Sequence, residues 1–243
     1  MQKKVILTAV LALTAPLAWS HGAWIAQRLD VPTVVYGHGA SDEAYNPEKV
    51  TFVQAFDEDG KAVDVKVEKT GQNVRFAKEG FASVALVMDN GYWTKQKDGK
   101  WVNQPKNEVK EAESASHSVK TAIGVVGHTH HLPALADLSS LPLVVLPQVE
   151  ALESHMGDEV EVIVYYQGQP VEGVDIIGDY VGDSETVVAK TNAEGKAKIA
   201  VRNQGLNVIA ASYKVEPSEA EKAKADRISY TATFSFVNDE HKD

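Results

Sequence analysis

The chain contains no cysteine among its 243 residues, and this absence removes several classes of protein at once. Without cysteine there is no disulfide framework, no thiolate metal site, no cysteine nucleophile and no lipid-modified cysteine. The sequence also lacks serine-nucleophile motifs, a phosphate-binding glycine loop and a His-Glu-x-x-His helix. These absences favour a protein that is not an enzyme.

Positive charge is the next shortage, because 24 Lys and Arg residues face 34 Asp and Glu residues. The formal net charge is −10, and it becomes −12 once the two lysines near the start, at positions 3 and 4, are removed with residues 1–20. An acidic surface argues against binding nucleic acid or an anionic membrane surface.

Residues 1–20 have the three parts of a cleavable secretory signal peptide. Two lysines precede an uncharged, mainly apolar stretch, and Ala18 and Ser20 are the small residues expected before a cut. The stretch is short and ends near a proline, which argues against an uncleaved anchor. We therefore predict cleavage between Ser20 and His21, a periplasmic location, and a mature protein that is not embedded in the membrane.

Short alternating segments between turn signals fill most of residues 21–143, which we predict to form an N-terminal β domain with a His-rich loop. Residues 49–56 and 63–67 alternate on either side of a glycine-containing turn. The polar stretch 97–118 is predicted to be an excursion or a flexible loop, and a helix over 107–118 lacks a clear apolar stripe.

Residues 144–238 are predicted to form a seven-stranded antiparallel β-sandwich, followed by a charged tail at 239–243. The predicted strands include 159–166, 171–177, 187–190, 196–201, 206–213 and 228–237. The order of the segments 168–174, 191–199 and 205–211 resembles the transthyretin-like and collagen-adhesin B-type repeats. That resemblance implies a Greek-key scaffold and is silent on function. The expected fold is all-β, with two antiparallel Ig-like or transthyretin-like sandwich units in tandem.

Histidine is the residue type that says most about function. A cut after Ser20 makes His21 the first residue, so that its α-amine and imidazole Nδ1 are able to chelate one metal ion together. A second histidine completes the arrangement called a histidine brace. Nitrogen ligands without thiolates suit Ni(II), Co(II), Cu(II) and Zn(II) rather than Mg(II) or Ca(II). The alternative for His21 is a frayed terminus with no ligand role.

Five further histidines are candidate metal ligands: His38, His117, His128, His130 and His131. Glycines flank His38 and allow a close backbone approach. The last three crowd into four residues, which is a compositional signal for metal binding. On an extended chain His128 and His130 point the same way, and the third points opposite. A solvent-exposed loop histidine is the alternative throughout, and we favour it for His155 and His241.

Three short motifs give the chain a resemblance to a known family: His21-Gly22-Ala23-Trp24, Tyr36-Gly37-His38-Gly39 and Gly91-Tyr92-Trp93-Thr94-Lys95. With the repeat at 159–237, they resemble the bacterial family described as the periplasmic component of cobalt or nickel uptake transporters. The resemblance implies a two-part β protein that captures a divalent transition metal for an inner-membrane transporter. It also implies that His21 and His38 are the family's recurrent histidines, whereas the loop at 127–131 is an addition.

We therefore expect a periplasmic binding protein that delivers Ni or Co to an inner-membrane transporter, with Cu or Zn as alternative cargo. His21 is the expected anchor, completed by His38 and one or more of His128, His130 and His131. His117 is a further candidate ligand. Two other functions stay open. One is a histidine-brace copper carrier or oxidase, although an aromatic content of 7% gives the flat binding face of an oxidase little support. The other is a surface or adhesion module that binds no metal.

Overall fold

The computed structural model describes residues 21–77 and 80–238. The predicted signal peptide at 1–20 and the predicted tail at 239–243, with His241, lie outside the described residues. In the described part, no helix is long and apolar enough to cross a membrane.

Strands dominate both halves of the chain, as the alternating apolar pattern predicts. The first half contains β1 (Gly22–Arg28), β2 (Val31–Gly37), β3 (Val50–Phe56), β4 (Ala62–Val63), β5 (Val67–Thr70), β6 (Asn73–Phe76), β7 (Ser83–Gln96), β8 (Trp101–Val102) and β9 (Ala112–Val125). The second half contains β10 (Leu143–Pro147), β11 (Glu159–Tyr166), β12 (Gln169–Pro170), β13 (Asp175–Ile177), β14 (Ala189–Lys190), β15 (Lys196–Ala200), β16 (Leu206–Val215) and β17 (Arg227–Val237). Short 3-10 helices cover Pro47–Lys49, Lys106–Glu108, Leu135–Leu138 and Val149–Glu153. The all-β prediction is confirmed.

The strands form three layers, and the middle layer is a nine-stranded central sheet. Its order is β14-β13-β16-β17-β9-β7-β3-β4, with β8 beside β7. A terminal sheet, β1-β2-β6-β5, packs on one face, where Ile25 joins Leu86 in a buried cluster. A distal sheet, made of β10, β11, β12 and β15, packs on the other face, where Val162 and Ile123 share a larger cluster. The core therefore lies on both sides of the central sheet.

The two predicted units share that central sheet. Strand β9 of the first unit pairs in parallel with β17 of the second, from Ser116 opposite Arg227 to Gly124 opposite Ser235. Neighbouring antiparallel pairs, β7 with β9 and β16 with β17, continue the sheet into each unit. The boundary predicted near residue 143 stays a prediction.

The polar stretch 97–118 differs from its predicted form. It contains β8, the 3-10 helix Lys106–Glu108 and the first half of β9, which pairs with β7 as far as Ala112 opposite Gln96. The prediction of an excursion or flexible loop is therefore wrong beyond residue 111. Sheet hydrogen bonds are made by the main chain, so a stretch without large apolar residues still forms a strand when a long partner is available.

Strand β1 is buried on both faces. This burial holds the start of the strand in place, and with it the backbone of His21, the residue that precedes the strand. Ile25 packs in the cluster between the terminal and central sheets, while Trp24 packs with Tyr180 on the opposite side. Burial of such a side chain contributes about 1.5–3 kcal/mol. The Ser235 hydroxyl also donates to the Ile25 carbonyl at 2.7 Å. A Cβ on Gly124 would lie 2.5 Å from the Ile25 Cβ, so only glycine lets β1 approach β9 this closely.

Candidate functional site

The pairing of β1 with β2 brings two predicted ligands together. Gly22 lies opposite Gly37 at the end of this antiparallel ladder. The next residue outward on each side is a histidine, so the same register sets His21 across from His38. Their ring centroids are 6.2 Å apart, with the rings steeply inclined to one another at 68°.

The His21 ring is held on two sides. It stacks on Tyr36, with centroids 5.3 Å apart and planes inclined by 16°. Its Nε2 lies 2.9 Å from Oε1 of Glu43. The phenol beneath it stays protonated at neutral pH, because burial raises the pKa of Tyr36 above its usual value. The ring therefore rests on a neutral aromatic face and points one nitrogen at a carboxylate.

The turn after β2 returns Glu43 to the start of β1. The His38 amide donates to the Ser41 hydroxyl at 2.7 Å, and the Glu43 amide donates to the Tyr36 carbonyl at 2.7 Å. The Ser41 hydroxyl also lies 3.2 Å from the Glu43 carboxylate. A Cβ on Gly37 would lie 2.4 Å from the Ser41 carbonyl oxygen, so the turn is this tight only with glycine there.

His38 is held by a loop from the second half of the chain. Its Nε2 lies 2.5 Å from Oε1 of Glu185 and 3.1 Å from the Ser184 hydroxyl. Its Nδ1 is buried and has no hydrogen-bond partner within residues 21–77 and 80–238. A buried polar atom without a partner is rare and is often explained by a bound water or ion.

Tyr180, from the same loop, locks the two strand ends together. Its hydroxyl donates to the Gly37 carbonyl at 3.1 Å and is also hydrogen-bonded to the backbone of Gly22. Its ring approaches the His38 ring edge-on, with centroids 6.3 Å apart. A Cβ on Gly22 would lie 2.8 Å from the tyrosine ring, so glycine makes room for it. Burial raises the pKa of Tyr180, which keeps its hydroxyl as a donor.

Both histidines thus have their Nε2 at a glutamate carboxylate. A neutral imidazole that donates from Nε2 carries its lone pair on Nδ1. Metal-binding histidines commonly donate their second N–H to a carboxylate, which fixes the tautomer and raises ligand basicity. Two imidazoles on one ion have ring centroids roughly 4.5–6.4 Å apart when each metal–nitrogen bond is about 2.0–2.1 Å. The observed 6.2 Å falls within this range.

Side chains alone do not complete a metal site here. Across the described residues, no group of three or more His, Asp and Glu side chains is arranged to hold a metal ion. The pair His21 and His38 supplies two nitrogens. A third nitrogen, the His21 α-amine, depends on the predicted cut before that residue.

The His-rich loop lies elsewhere. The amides of His130 and His131 donate to the Glu58 carbonyl at 2.9 and 3.2 Å, which ties the loop to the turn between β3 and β4. The rings of His128 and His130 meet edge to face, with centroids 4.7 Å apart. They line a cavity of about 720 Å³ that also touches Gln27, at the far end of β1 from His21.

Strand β1 therefore separates the two histidine groups. A strand rises about 3.3 Å per residue, so the six steps from His21 to Gln27 span roughly 20 Å. No single ion bridges that distance. This corrects the expectation that His128, His130 or His131 completes the site at His21.

His117 is a third, separate location. On β9 its Nε2 lies 2.8 Å from Oδ1 of Asp89, its ring stacks on Tyr92 at 4.4 Å, and its Nδ1 lies 3.7 Å from Oε1 of Glu221. The hydrogen bond from His117 lowers the pKa of Asp89. None of these partners belongs to the site at His21, so His117 does not join it as the predicted further ligand.

The remaining histidine in the described part is exposed. The ring Nδ1 of His155 lies 3.7 Å from Oδ2 of Asp158, within the turn before β11. Sequence reasoning missed the residues that hold the histidine pair: Tyr36, Glu43, Tyr180, Ser184 and Glu185. Glu43 follows His38 by five residues and is a near neighbour in sequence. Glu185 lies 147 residues away, and no local pattern links it to His38.

Comparisons with other proteins relate most of the chain to known sequences. The family described as "Domain of unknown function (DUF4198)" matches residues 18–215. An uncharacterized protein of Haemophilus influenzae is 27% identical over 239 residues, covering 94% of this chain and 95% of that protein. The fibronectin(III)-like modules of Clostridium thermocellum CbhA align over 88% of this chain and 90% of theirs. The sequence identity is 9% and the TM-score is 0.20, which is too low to indicate a shared fold. The family match spans most of the sequence, from just before His21 to beyond Glu185, and the chain belongs to the DUF4198 family.

Proposed function

We propose that the mature protein binds a divalent transition ion, Ni or Co, in the periplasm and delivers it to an inner-membrane uptake transporter. One observation carries the proposal: His21 and His38 face each other across the β1–β2 ladder, each with Nε2 at a glutamate. The resemblance of the sequence to the periplasmic components of cobalt and nickel transporters supports the choice of cargo and partner.

The proposed ligands are three nitrogens from two residues. The α-amine and Nδ1 of His21 form one chelate, and Nδ1 of His38 is the third ligand. If the ion lies on the axes of both rings, centroids 6.2 Å apart correspond to an angle of roughly 150° at the ion, given metal–nitrogen bonds of about 2.0–2.1 Å. The two imidazoles then lie nearly opposite each other, and the amine occupies a position between them.

Partial exposure of the site suits a carrier better than a structural metal site. The His21 side chain is 42% exposed, so a bound ion has a path to solvent on that side, whereas Nδ1 of His38 is buried. Structural metal sites, by contrast, are closed by four protein ligands. The carboxylates of Glu43 and Glu185 add negative charge beside the cation and orient both rings. Three protein nitrogens leave coordination positions open for water or for a ligand from a partner.

The same geometry favours one second candidate, a copper protein. An amine and two imidazoles are the donors of a histidine brace, and Cu(II) binds such sites more tightly than Ni(II) or Co(II). A copper carrier and a copper oxidase both fit these donors. The ion and the reaction have to be separated by experiment.

Titration of correctly processed protein tests the proposal. Intact mass first establishes that the exported chain begins at His21. Ni(II), Co(II), Cu(II) and Zn(II) are then titrated calorimetrically into that chain and into a control with one alanine added before His21. We expect the processed chain to bind one ion with submicromolar affinity. The control should bind it at least about 100-fold more weakly, because losing a ligand costs more than the 10–100-fold lost when a residue that hydrogen-bonds a ligand is changed.

Unchanged affinity in the alanine-extended control overturns the terminal chelate. Absence of binding in the processed chain favours the adhesion module instead. Oxygen consumption by the copper-loaded protein with ascorbate separates an oxidase from a carrier, and no consumption above that of free copper is the result expected of a carrier.

A further inference from the structure

The loop that carries His128 and His130 is a built feature of the fold. Main-chain bonds from residues 130 and 131 to the Glu58 carbonyl fix its course. The Thr129 hydroxyl lies 3.1 Å from the same carbonyl and 2.7 Å from the His131 carbonyl. Gly60 has a φ of +76°, and a Cβ there would lie 2.8 Å from the Leu132 carbonyl oxygen, so the turn and the loop fit together only with glycine.

We infer that His128 and His130 form a second, independent binding site for a divalent transition ion. The two residues are separated by one position, and their rings meet at 4.7 Å between centroids and 90° between planes. This distance lies at the short end of the roughly 4.5–6.4 Å range for two imidazoles on one ion. His128 and His130 thus lie close enough to share one ion once the exposed rings turn so that an in-plane nitrogen of each faces it.

The donor type also indicates the class of ion. Imidazole nitrogens without thiolates suit Cu(II) and Ni(II), and Cu(II) binds such donors more tightly than Ni(II). The cavity of about 720 Å³ beside the rings leaves room for water in the remaining positions.

The second site is expected to be weaker than the site at His21 and independent of it. It has two protein ligands and no chelating amine, and both of its rings are exposed. The two sites lie roughly 20 Å apart along β1. This exceeds a Debye length of about 8 Å at physiological ionic strength, so repulsion between the two ions is largely screened.

The site at His21 and His38 is called the first site. The test uses a processed chain in which this site is blocked by one alanine added before His21 together with His38→Ala. Cu(II) and Ni(II) are titrated into this blocked chain by calorimetry, while NMR follows the imidazole nitrogens. We expect one bound ion in the blocked chain and none after His128→Ala and His130→Ala are added. The matched control is His131→Ala, the exposed neighbour, which is expected to keep affinity within about two-fold.

Either of two results overturns the second site. One is the absence of binding in the blocked chain, and the other is an equal loss of binding with His131→Ala. Because the first site is already blocked, neither result depends on whether the proposed function is correct. Thermal unfolding of each variant checks that the fold is retained, and the three exposed loop substitutions are expected to leave Tm unchanged.

Discussion

Residues 21–77 and 80–238 contain two pairs of neighbouring histidines, and the two pairs are held by different means. His21 and His38 are aligned by strand register, and each ring is tied to a carboxylate through Nε2. His128 and His130 sit on a loop fixed through its main chain, and their exposed rings meet only at an edge. The first pair has preorganised side chains, whereas the second has a preorganised backbone.

We propose that this difference gives the two pairs unequal affinity for an ion. A carboxylate hydrogen-bonded to the other ring nitrogen fixes both the tautomer and the rotamer of a histidine before an ion arrives. Fixing only the backbone leaves ring rotation to be lost on binding, which costs affinity. We therefore expect the first pair to bind more tightly and to be more sensitive to remote substitutions.

The largest expected effect comes from removing a ligand of the first pair. His38→Ala is expected to weaken ion binding at the first site at least about 100-fold, more than an outer-shell change does. Binding at His128 and His130 should stay within about two-fold. The matched control is His117→Ala, since His117 also bonds a carboxylate but lies outside the first site. Two-site calorimetry distinguishes these outcomes, and equal losses at both sites contradict the separation of the pairs.

A smaller effect is expected from the carboxylates. Glu185→Gln keeps the shape of the side chain but removes its charge, so the His38 ring loses the anion that favours the Nε2-protonated form. We expect about 10–100-fold weaker binding at the first site. The tautomer of His38, read from its ring nitrogen shifts by NMR, should become mixed in the metal-free protein.

The control for the carboxylates is Glu58→Gln on the other pair. Glu58 holds the loop through its main-chain carbonyl, so changing its side chain should leave the second site unaffected. A tautomer of His38 that stays purely Nε2-protonated in Glu185→Gln would count against this positioning role.

Backbone strain provides a way to loosen the second pair alone. Gly60→Ala forces a side chain into a left-handed conformation, at about 1–2 kcal/mol, and also against the Leu132 carbonyl. For a chain of this size each 1 kcal/mol lowers Tm by roughly 2–4 °C. We expect this fall in Tm together with a several-fold weaker second site and an unchanged first site.

Gly71→Ala is the matched control for Gly60→Ala. Gly71 also has a positive φ, +56°, but no atom lies within 4 Å of a Cβ built there. It should therefore show the conformational cost without the loss of binding at the loop. If both variants weaken the second site equally, the contact between the turn and the loop does not hold the two rings.

The fold was easier to predict than the site. Alternation identified the strand 159–166 with its observed bounds, because side-chain period reports directly on a strand with one buried face. Alternation does not report which strands become neighbours. The parallel pair of β9 and β17 joins residues more than a hundred positions apart, and it depends on packing of the whole core.

The same limit explains the errors at the site. The sequence indicated His21 and His38 as ligands, and the β1–β2 ladder brings them together over a short stretch of chain. The sequence analysis also grouped His128 with these two residues, because composition does not report how far apart two residues lie in the fold. Glu185 and Tyr180 reach the first pair through a loop of the second half, a contact that only tertiary structure creates.

The smallest expected effect concerns a buried lysine on the sheet face that β1 covers. Lys120 lies on β9 two residues before Ala122, which packs with Ile25, and its Nζ lies 3.2 Å from the Thr231 hydroxyl. Burial lowers the pKa of Lys120 to about 7. Between pH 7 and 10 the unfolded chain carries this proton more often than the folded chain does. The free energy of unfolding contributed by Lys120 therefore rises with pH across that window, by at most about 1.4 kcal/mol per pH unit.

Lys120→Met tests this contribution, because it keeps a long side chain and removes the charge. Urea unfolding of both proteins at about pH 7.5 and 8.5 gives two differences in stability, in which the titration of all other groups cancels. We expect the advantage of Lys120→Met over the natural chain to shrink by about 1 kcal/mol at the higher pH. Ion binding at His128 and His130 should not change, since the lysine lies beneath β1 and not beneath the loop. Parallel stability profiles for the two proteins would mean that Lys120 remains protonated inside the fold, held by its hydrogen bonds.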